Sequence, residues 1–189
     1  AKHSAKKTTT ENKMKIFVLS LLLFAFSPTM FGQAKNTRTV KIYLSDTNNN
    51  PNFEDCGKVR AVNRTILKTK TVAKAALEEL FKGAAKKEKA KGLTSIFSQE
   101  TSSILKNVNI KNGAAYVNLK DWVVQNLGTA TTSCGAFTFV TPIEKTLMQF
   151  PTVKKVFFAI EGSPKDYYDW MQVGECPDEL VNCSGKDFK

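Results

Sequence analysis

Histidine is almost missing from this chain: among 189 residues the only one is His3. Ser-His-Asp and Cys-His catalysis, His-ligated zinc or haem, and an imidazole general base are therefore excluded for everything beyond that residue. Cysteine is sparse as well. None of the four stands as C-x-x-C, so thioredoxin-like redox chemistry and zinc-ribbon ligation have no support. Long hydrophobic runs are also lacking. The longest, residues 16–26, falls short of the ~20 residues that a membrane-crossing helix needs. Residues 33–189 contain no internal repeat and no low-complexity tract.

The short apolar run suits a different purpose. Lys13 and Lys15 precede it, and Ser27, Pro28 and Gly32 follow, the basic–apolar–polar order of a signal peptide. Residues 1–32 thus read as an upstream extension plus a cleaved signal peptide, with Met14 as its natural start and cleavage near Gly32 and Gln33. The mature chain is expected to be exported, periplasmic or extracellular, with no transmembrane segment. Residues 33–38 read as a polar leader, 39–162 as one domain and 163–189 as a C-terminal tail. That length is enough for a single core and too little for two.

What is present is positive charge. Lys and Arg number 28 against 17 Asp and Glu, a net +11. The lysines are scattered except in residues 82–91, which hold Lys82, Lys86, Lys87, Lys89 and Lys91. The plain reading of that run is a solvated helix end and loop; the functional reading is contact with an anionic polymer. A second cluster, residues 166–170, combines Tyr167, Tyr168 and Trp170 with Asp166 and Asp169. Its rings would stack on a sugar or peptide, or, more plainly, cover a sheet edge with the acids in water.

The cysteines are Cys56, Cys134, Cys176 and Cys183. An even count in an exported chain predicts two disulfides, with three connectivities open. A Cys176–Cys183 bridge would close a small loop worth roughly 2–3 kcal/mol, and Cys56–Cys134 a far longer one worth roughly 4 kcal/mol. Asp46, Asn48 and Asn50 alternate like the opening of a calcium loop, but Pro51 and Gly57 occupy positions that such a loop gives to Gly and Glu. They read as a turn.

Residues 39–44 alternate and predict a strand; residues 58–67 predict a second, with Val59 and Ala61 on one face. Thr71 opens a helix over 72–82 whose Ala73, Ala76, Leu77 and Leu80 form one stripe, stopped by Gly83. Asn112-Gly113, between apolar runs 104–110 and 114–119, is a hairpin signal. Residues 92–97 look irregular, and 121–132 a loop or short helix. Ile143, Leu147 and Phe150 then recur at helical spacing, with Thr141 and Glu144 as a capping-box pattern. Pro142 either kinks one long helix or opens a shorter one. Pro151 ends it, and Val153, Val156, Phe157, Phe158 and Ile160 predict a strand buried on both faces, closed by a turn at Gly162. The order is β-β-α-β-β-α-β. The economical fold is α/β (α+β): a single two-layer sandwich, about five strands in a mixed or antiparallel sheet with two main helices.

Several of these pieces together resemble the GerMN domain of bacterial sporulation and spore-germination proteins. They are Val40-Lys-Ile-Tyr-Leu44, Val59-Arg-Ala-Val62-Asn-Arg64, Ala75-Ala-Leu77-Glu-Glu-Leu80 with Gly83, and later Glu88 and Gly92. The hairpin Asn112-Gly113-Ala114-Ala115-Tyr116-Val117 and the stretch from Thr146 through Gln149, Pro151 and Val153 to Gly162 complete the set, spanning residues 40–162. The resemblance implies a compact fold like the ring-building motifs of secretion-type channels, an extracytoplasmic binding or assembly role, and no active site. Asp55-Cys56 and Ser133-Cys134 match cysteine positions of some members, which favours Cys56–Cys134 and leaves Cys176 and Cys183 to the tail. The chain departs from the family in lacking a lipobox cysteine after the signal, in having one domain copy, and in Pro142.

The expected function is that of an exported, non-catalytic binding or assembly module, with an envelope protein or a second copy as partner. The alternative is binding of an anionic envelope polymer such as peptidoglycan or a teichoic-type chain. No cofactor, metal or nucleic acid is implied. A carboxylate hydrolase using Glu78/Glu79 or Asp166/Asp169 is disfavoured, because adjacent helix residues face different ways and the second pair lacks a framework.

Overall fold

The computed structural model describes residues 36–52 and 54–189; the signal peptide expected within residues 1–32 lies outside them. Strand β1, Thr37–Asp46, turns Val40, Ile42, Leu44 and Asp46 inward. It pairs antiparallel with β2, Val59–Leu67, so that Val40 sits opposite Arg64 and Ile42 opposite Val62. The inward face of β2 is therefore Arg60, Val62, Arg64 and Ile66, and Ala61 is exposed. The sequence pattern concealed this because both arginines point inward to acidic partners, Asp46 and Glu88.

Helix α1, Val72–Leu80, buries the expected stripe of Ala73, Ala76, Leu77 and Leu80. A single helical turn, α2 (Lys86–Lys89), follows inside the lysine run, then β3, Leu93–Thr94, which pairs with β1 at Ser45 and Asp46. Strands β4, Leu105–Lys111, and β5, Ala114–Leu119, form the hairpin. Its turn residues Asn112 and Gly113 both have positive φ, 51° and 82°, which matches the right-handed twist of the flanking strands.

A short helix α3, Trp122–Asn126, leads into α4, Ser133–Met148. This is one helix with Pro142 inside it, capped by Thr132, whose Oγ1 accepts from the Gly135 N–H at 3.2 Å. The capping box expected at Thr141 and Glu144 does not form, because helix entry lies nine residues earlier and Thr141 is mid-helix. Strand β6, Lys155–Ile160, runs parallel to β5.

The α/β order expected from the sequence is present, but the strands divide over two three-stranded sheets, β2-β1-β3 and β4-β5-β6. The cause lies at the far edge of β1. There Gln149, just past α4, accepts from the Lys41 N–H at 2.9 Å and donates to its carbonyl at 2.7 Å, while Thr146 Oγ1 accepts from the Tyr43 N–H at 3.2 Å. Side chains and β3 occupy the edge that another full strand would need. The two sheets and both long helices still share one buried cluster, from Ile42 and Leu77 to Leu119, Ile143 and Phe158.

Residues after Gly162 form part of that core. Helix α5, Pro164–Trp170, opens on Ser163, whose Oγ accepts from Asp166 N–H, with Pro164 in the first turn. Tyr167, Tyr168, Met171, Leu180 and Phe188 all join the cluster. The last residues cross the second face of the β4-β5-β6 sheet, where Phe188 packs edge-on to Tyr116 at 5.3 Å. Asn118, 3% exposed within β5, donates to the Phe188 carbonyl and accepts from the Gly162 N–H. Asn109 donates to the carbonyls of Asp187 and Lys189.

Candidate functional site

The lysine run is built on a buried acid. Glu88, 5% exposed, points inward from α2 and takes both Nη atoms of Arg64, one at 2.8 Å, while Arg64 also donates to the Gly83 carbonyl. The same carboxylate accepts from the Ala85 N–H at 2.7 Å, closing the turn from within. Hydrogen bonding from Arg64 holds its carboxyl below the ordinary 4.5 against the opposing effect of burial. At the other end, Asn48 and Arg60 donate to the Lys91 carbonyl and Thr47 N–H to that of Gly92. Lys82, Lys86, Lys87, Lys89 and Lys91 are all exposed on this fixed turn. Lys82 is spent on Glu79, three residues earlier.

The aromatic cluster lies elsewhere in character. Tyr167 and Tyr168 are 2% and 8% exposed, and Trp170 is half-buried. Tyr167 stacks on Phe158 at 4.8 Å between centroids, and Trp170 meets Phe139 edge-on. These rings carry packing, not an open stacking platform. Burial raises the Tyr167 hydroxyl well above 10, and Tyr168 to about 12. Glu144, half-buried nearby, is likewise raised by desolvation. The helix that organises this cluster was legible only in the Ser163-Pro164 pair, an N-cap followed by a proline suited to the first helical position.

Cys56 pairs with Cys134, joining the loop before β2 to the start of α4, and Cys176 pairs with Cys183 within the tail. Beside the first pair lies a cleft of 360 Å³ lined by Asp46, Asp55, Thr94, Thr132 and Cys134, among others. Its acids are engaged in shaping the loop. Asp46 accepts from the Asn49 side chain at 2.7 Å, Asp55 Oδ1 accepts from the Gly57 N–H at 2.9 Å, and the Asn50 side chain bonds the Asp55 backbone carbonyl and N–H at 2.7 and 3.2 Å. The Asp46–Asn50 segment is thus a turn whose polar groups are taken up by one another and by Asp55, Lys91 and Gly92. Among the described residues no group of three or more His, Cys, Asp or Glu side chains could hold a metal ion. Of the carboxylates weighed for hydrolysis, Glu78 is ion-paired with Lys74, Glu79 with Lys82 and Asp169 with Lys165. No described helix is long and apolar enough to cross a membrane.

The family model described as "Germane: Sporulation and spore germination" matches residues 41–166. Among solved structures, the chain is similar to the tandem GerMN domains of the sporulation protein GerM from Bacillus subtilis, at 23% identity and a TM-score of 0.48, covering 67% of this chain and 40% of that one. It is also similar to the first GerMN domain of that protein, at 23% identity and a TM-score of 0.46, covering 66% of this chain and 84% of that one. A third similar structure is a putative lipoprotein from Clostridium perfringens, at 16% identity and a TM-score of 0.39, with 67% and 76% covered. No curated protein matches.

Proposed function

The chain belongs to the sporulation and spore germination family, and we propose that it works as an exported, non-catalytic binding or assembly module of the cell envelope. The observation that carries this reading is how its buried polar side chains are used. Asp46, Glu88, Thr101, Asn118 and Thr146 each hold a loop, a strand edge or the tail. Interior chemistry serves the scaffold, and the exterior is left to meet a partner. The two cysteine pairs support an oxidising, extracytoplasmic setting, where such bonds persist. Residues 39–162 form the family domain in this reading, and 163–189 its cover. Crosslinking in native envelopes, followed by identification of captured proteins, tests it. A specific partner is expected. Turnover of a small molecule by the purified chain, with nothing captured, would overturn it.

A second reading rests on the pinned lysine turn. Lys86, Lys87, Lys89 and Lys91 stand exposed around Glu88, a rigid cationic surface suited to an anionic wall polymer. Co-sedimentation with insoluble cell wall should then weaken steeply between low and high salt, as ions screen the contact. Charge reversal at Lys86 and Lys87 should abolish it. Salt-independent sedimentation would count against this reading.

A further inference from the structure

Hydrogen-bond direction along β1 reveals which backbone groups of β2 are unused. Lys41 turns both its N–H and its carbonyl to Gln149, Tyr43 N–H goes to Thr146, and Thr47 N–H to Gly92. Odd-numbered positions of β1 therefore face away from β2, and Val40, Ile42 and Leu44 hold the ladder with Arg64, Val62 and Arg60. On β2 the alternate residues, Ala61, Asn63 and Thr65, send their N–H and C=O groups outward. Among the described residues no strand pairs with that edge.

The charges of this strand, Arg60 and Arg64, are turned inward onto Asp46 and Glu88, and its outer face carries none. Ala61, Asn63, Thr65 and Leu67 are exposed and neutral in a chain of net charge +11, and Leu67 is 67% exposed. By contrast, β4 carries Lys106 and Lys111 and a bulge between Leu105 and Asn107, and the far edge of β1 is closed by Gln149. Past Thr65 and Leu67 the edge opens onto a groove of 790 Å³, floored by α1 and bounded opposite by Ser102, Ser103 and Leu105. Lys58 and Lys68 flank the strand, exposed and without an acidic partner among the described residues.

We propose that the free edge of β2 docks an extended segment of another protein as an added strand, neutral and β-prone at its centre and acidic at both ends. The proposal rests on the binding-module reading and names its surface. Backbone bonds to Ala61, Asn63 and Thr65 supply the pairing, and Lys58 and Lys68 select the acidic flanks. A second copy fits less well. An antiparallel pairing centred on Asn63 sets Lys58 of one chain against Lys68 of the other, a like-charge contact.

The probe is a synthetic peptide of alternating Thr and Val with glutamates at both ends, titrated into the full chain and followed by amide NMR and fluorescence anisotropy. Shifts should concentrate at the Ala61, Asn63 and Thr65 amides. The same core with lysines at both ends should bind about tenfold more weakly. Asn63→Pro removes an outward donor and no ladder bond, and should weaken binding about tenfold with the thermal midpoint retained. Thr65→Pro, which removes a second outward donor and no ladder bond, should do the same. Equal binding of the two peptides, or indifference to both variants, overturns the proposal. So does self-association of the chain that Thr65→Pro abolishes, which would assign the edge to a second copy. If the peptides fail while envelope crosslinks persist in both variants, the edge is wrong and the module reading stands.

Discussion

The side-chain amide of Gln149 hydrogen-bonds to both the N–H and the C=O of Lys41, standing in for one residue of a missing strand. This contact closes β1 and keeps the two sheets separate. Gln149→Ala removes both bonds and should cost about 1–2 kcal/mol in urea unfolding. Hydrogen exchange at the Lys41 amide should accelerate by more than the global loss of stability accounts for.

Arg64 and Glu88 should set the acid limit of the lysine turn. A carboxyl held low contributes stability that is fully present above its unfolded value of 4.5 and is lost as pH falls through its folded value. Arg64→Met leaves Glu88 buried without its cation and should cost about 3 kcal/mol at neutral pH. The same variant should lose much less on acidification than the parent. Denaturant midpoints across the acid range measure both effects.

Glu144 should act with the opposite sign. Burial raises its carboxyl, so the folded state disfavours the charge, and stability declines as pH rises through the unfolded value toward the folded one. Glu144→Gln should therefore raise the thermal midpoint at neutral pH and leave it unchanged in acid. A midpoint that rises equally at both would remove desolvation as the cause.

Gly185 fits where no larger residue can. A Cβ there would lie 2.0 Å from the Gly162 carbonyl oxygen. Gly185→Ala should lift the final residues from the sheet, and Phe188→Ala, at a fully buried ring, should cost about 3–4 kcal/mol. Both variants should bind a hydrophobic dye through the uncovered Tyr116 and Phe157.

The Cys56–Cys134 link spans 78 residues of chain. Replacing both with serine should cost roughly 4 kcal/mol, and the Cys176–Cys183 pair roughly 2–3 kcal/mol. Paired unfolding curves, with and without reductant, give the two values separately.

Local pattern made much of the fold legible. The stripe of α1, the Asn112-Gly113 turn and the apolar run of β6 each announce themselves through spacing or turn chemistry that no tertiary contact overrides. Longer-range features were less visible. The inward face of β2 is half arginine, and only the distant Glu88 and Asp46 make that arrangement stable. Division into two sheets depends on Gln149 meeting Lys41 across 108 positions. The lysine run was visible as charge, but not as a turn organised by its one acid. Tyr167, Tyr168 and Trp170 stood out as aromatics, while their burial depends on Phe139 and Phe158, which lie on other elements.

Asn118 gives the segment by which this family is recognised a different extent from the segment that is stable. The family match stops at residue 166, inside α5, yet Asn118 is satisfied only when Gly162 and Phe188 are both in place. A version trimmed to the recognisable boundaries would leave a buried carboxamide half-satisfied and a strip of ring surface wet. Dissection of this protein by deletion should therefore keep its final residues, since trimming them confounds loss of a partner with aggregation through the bared rings.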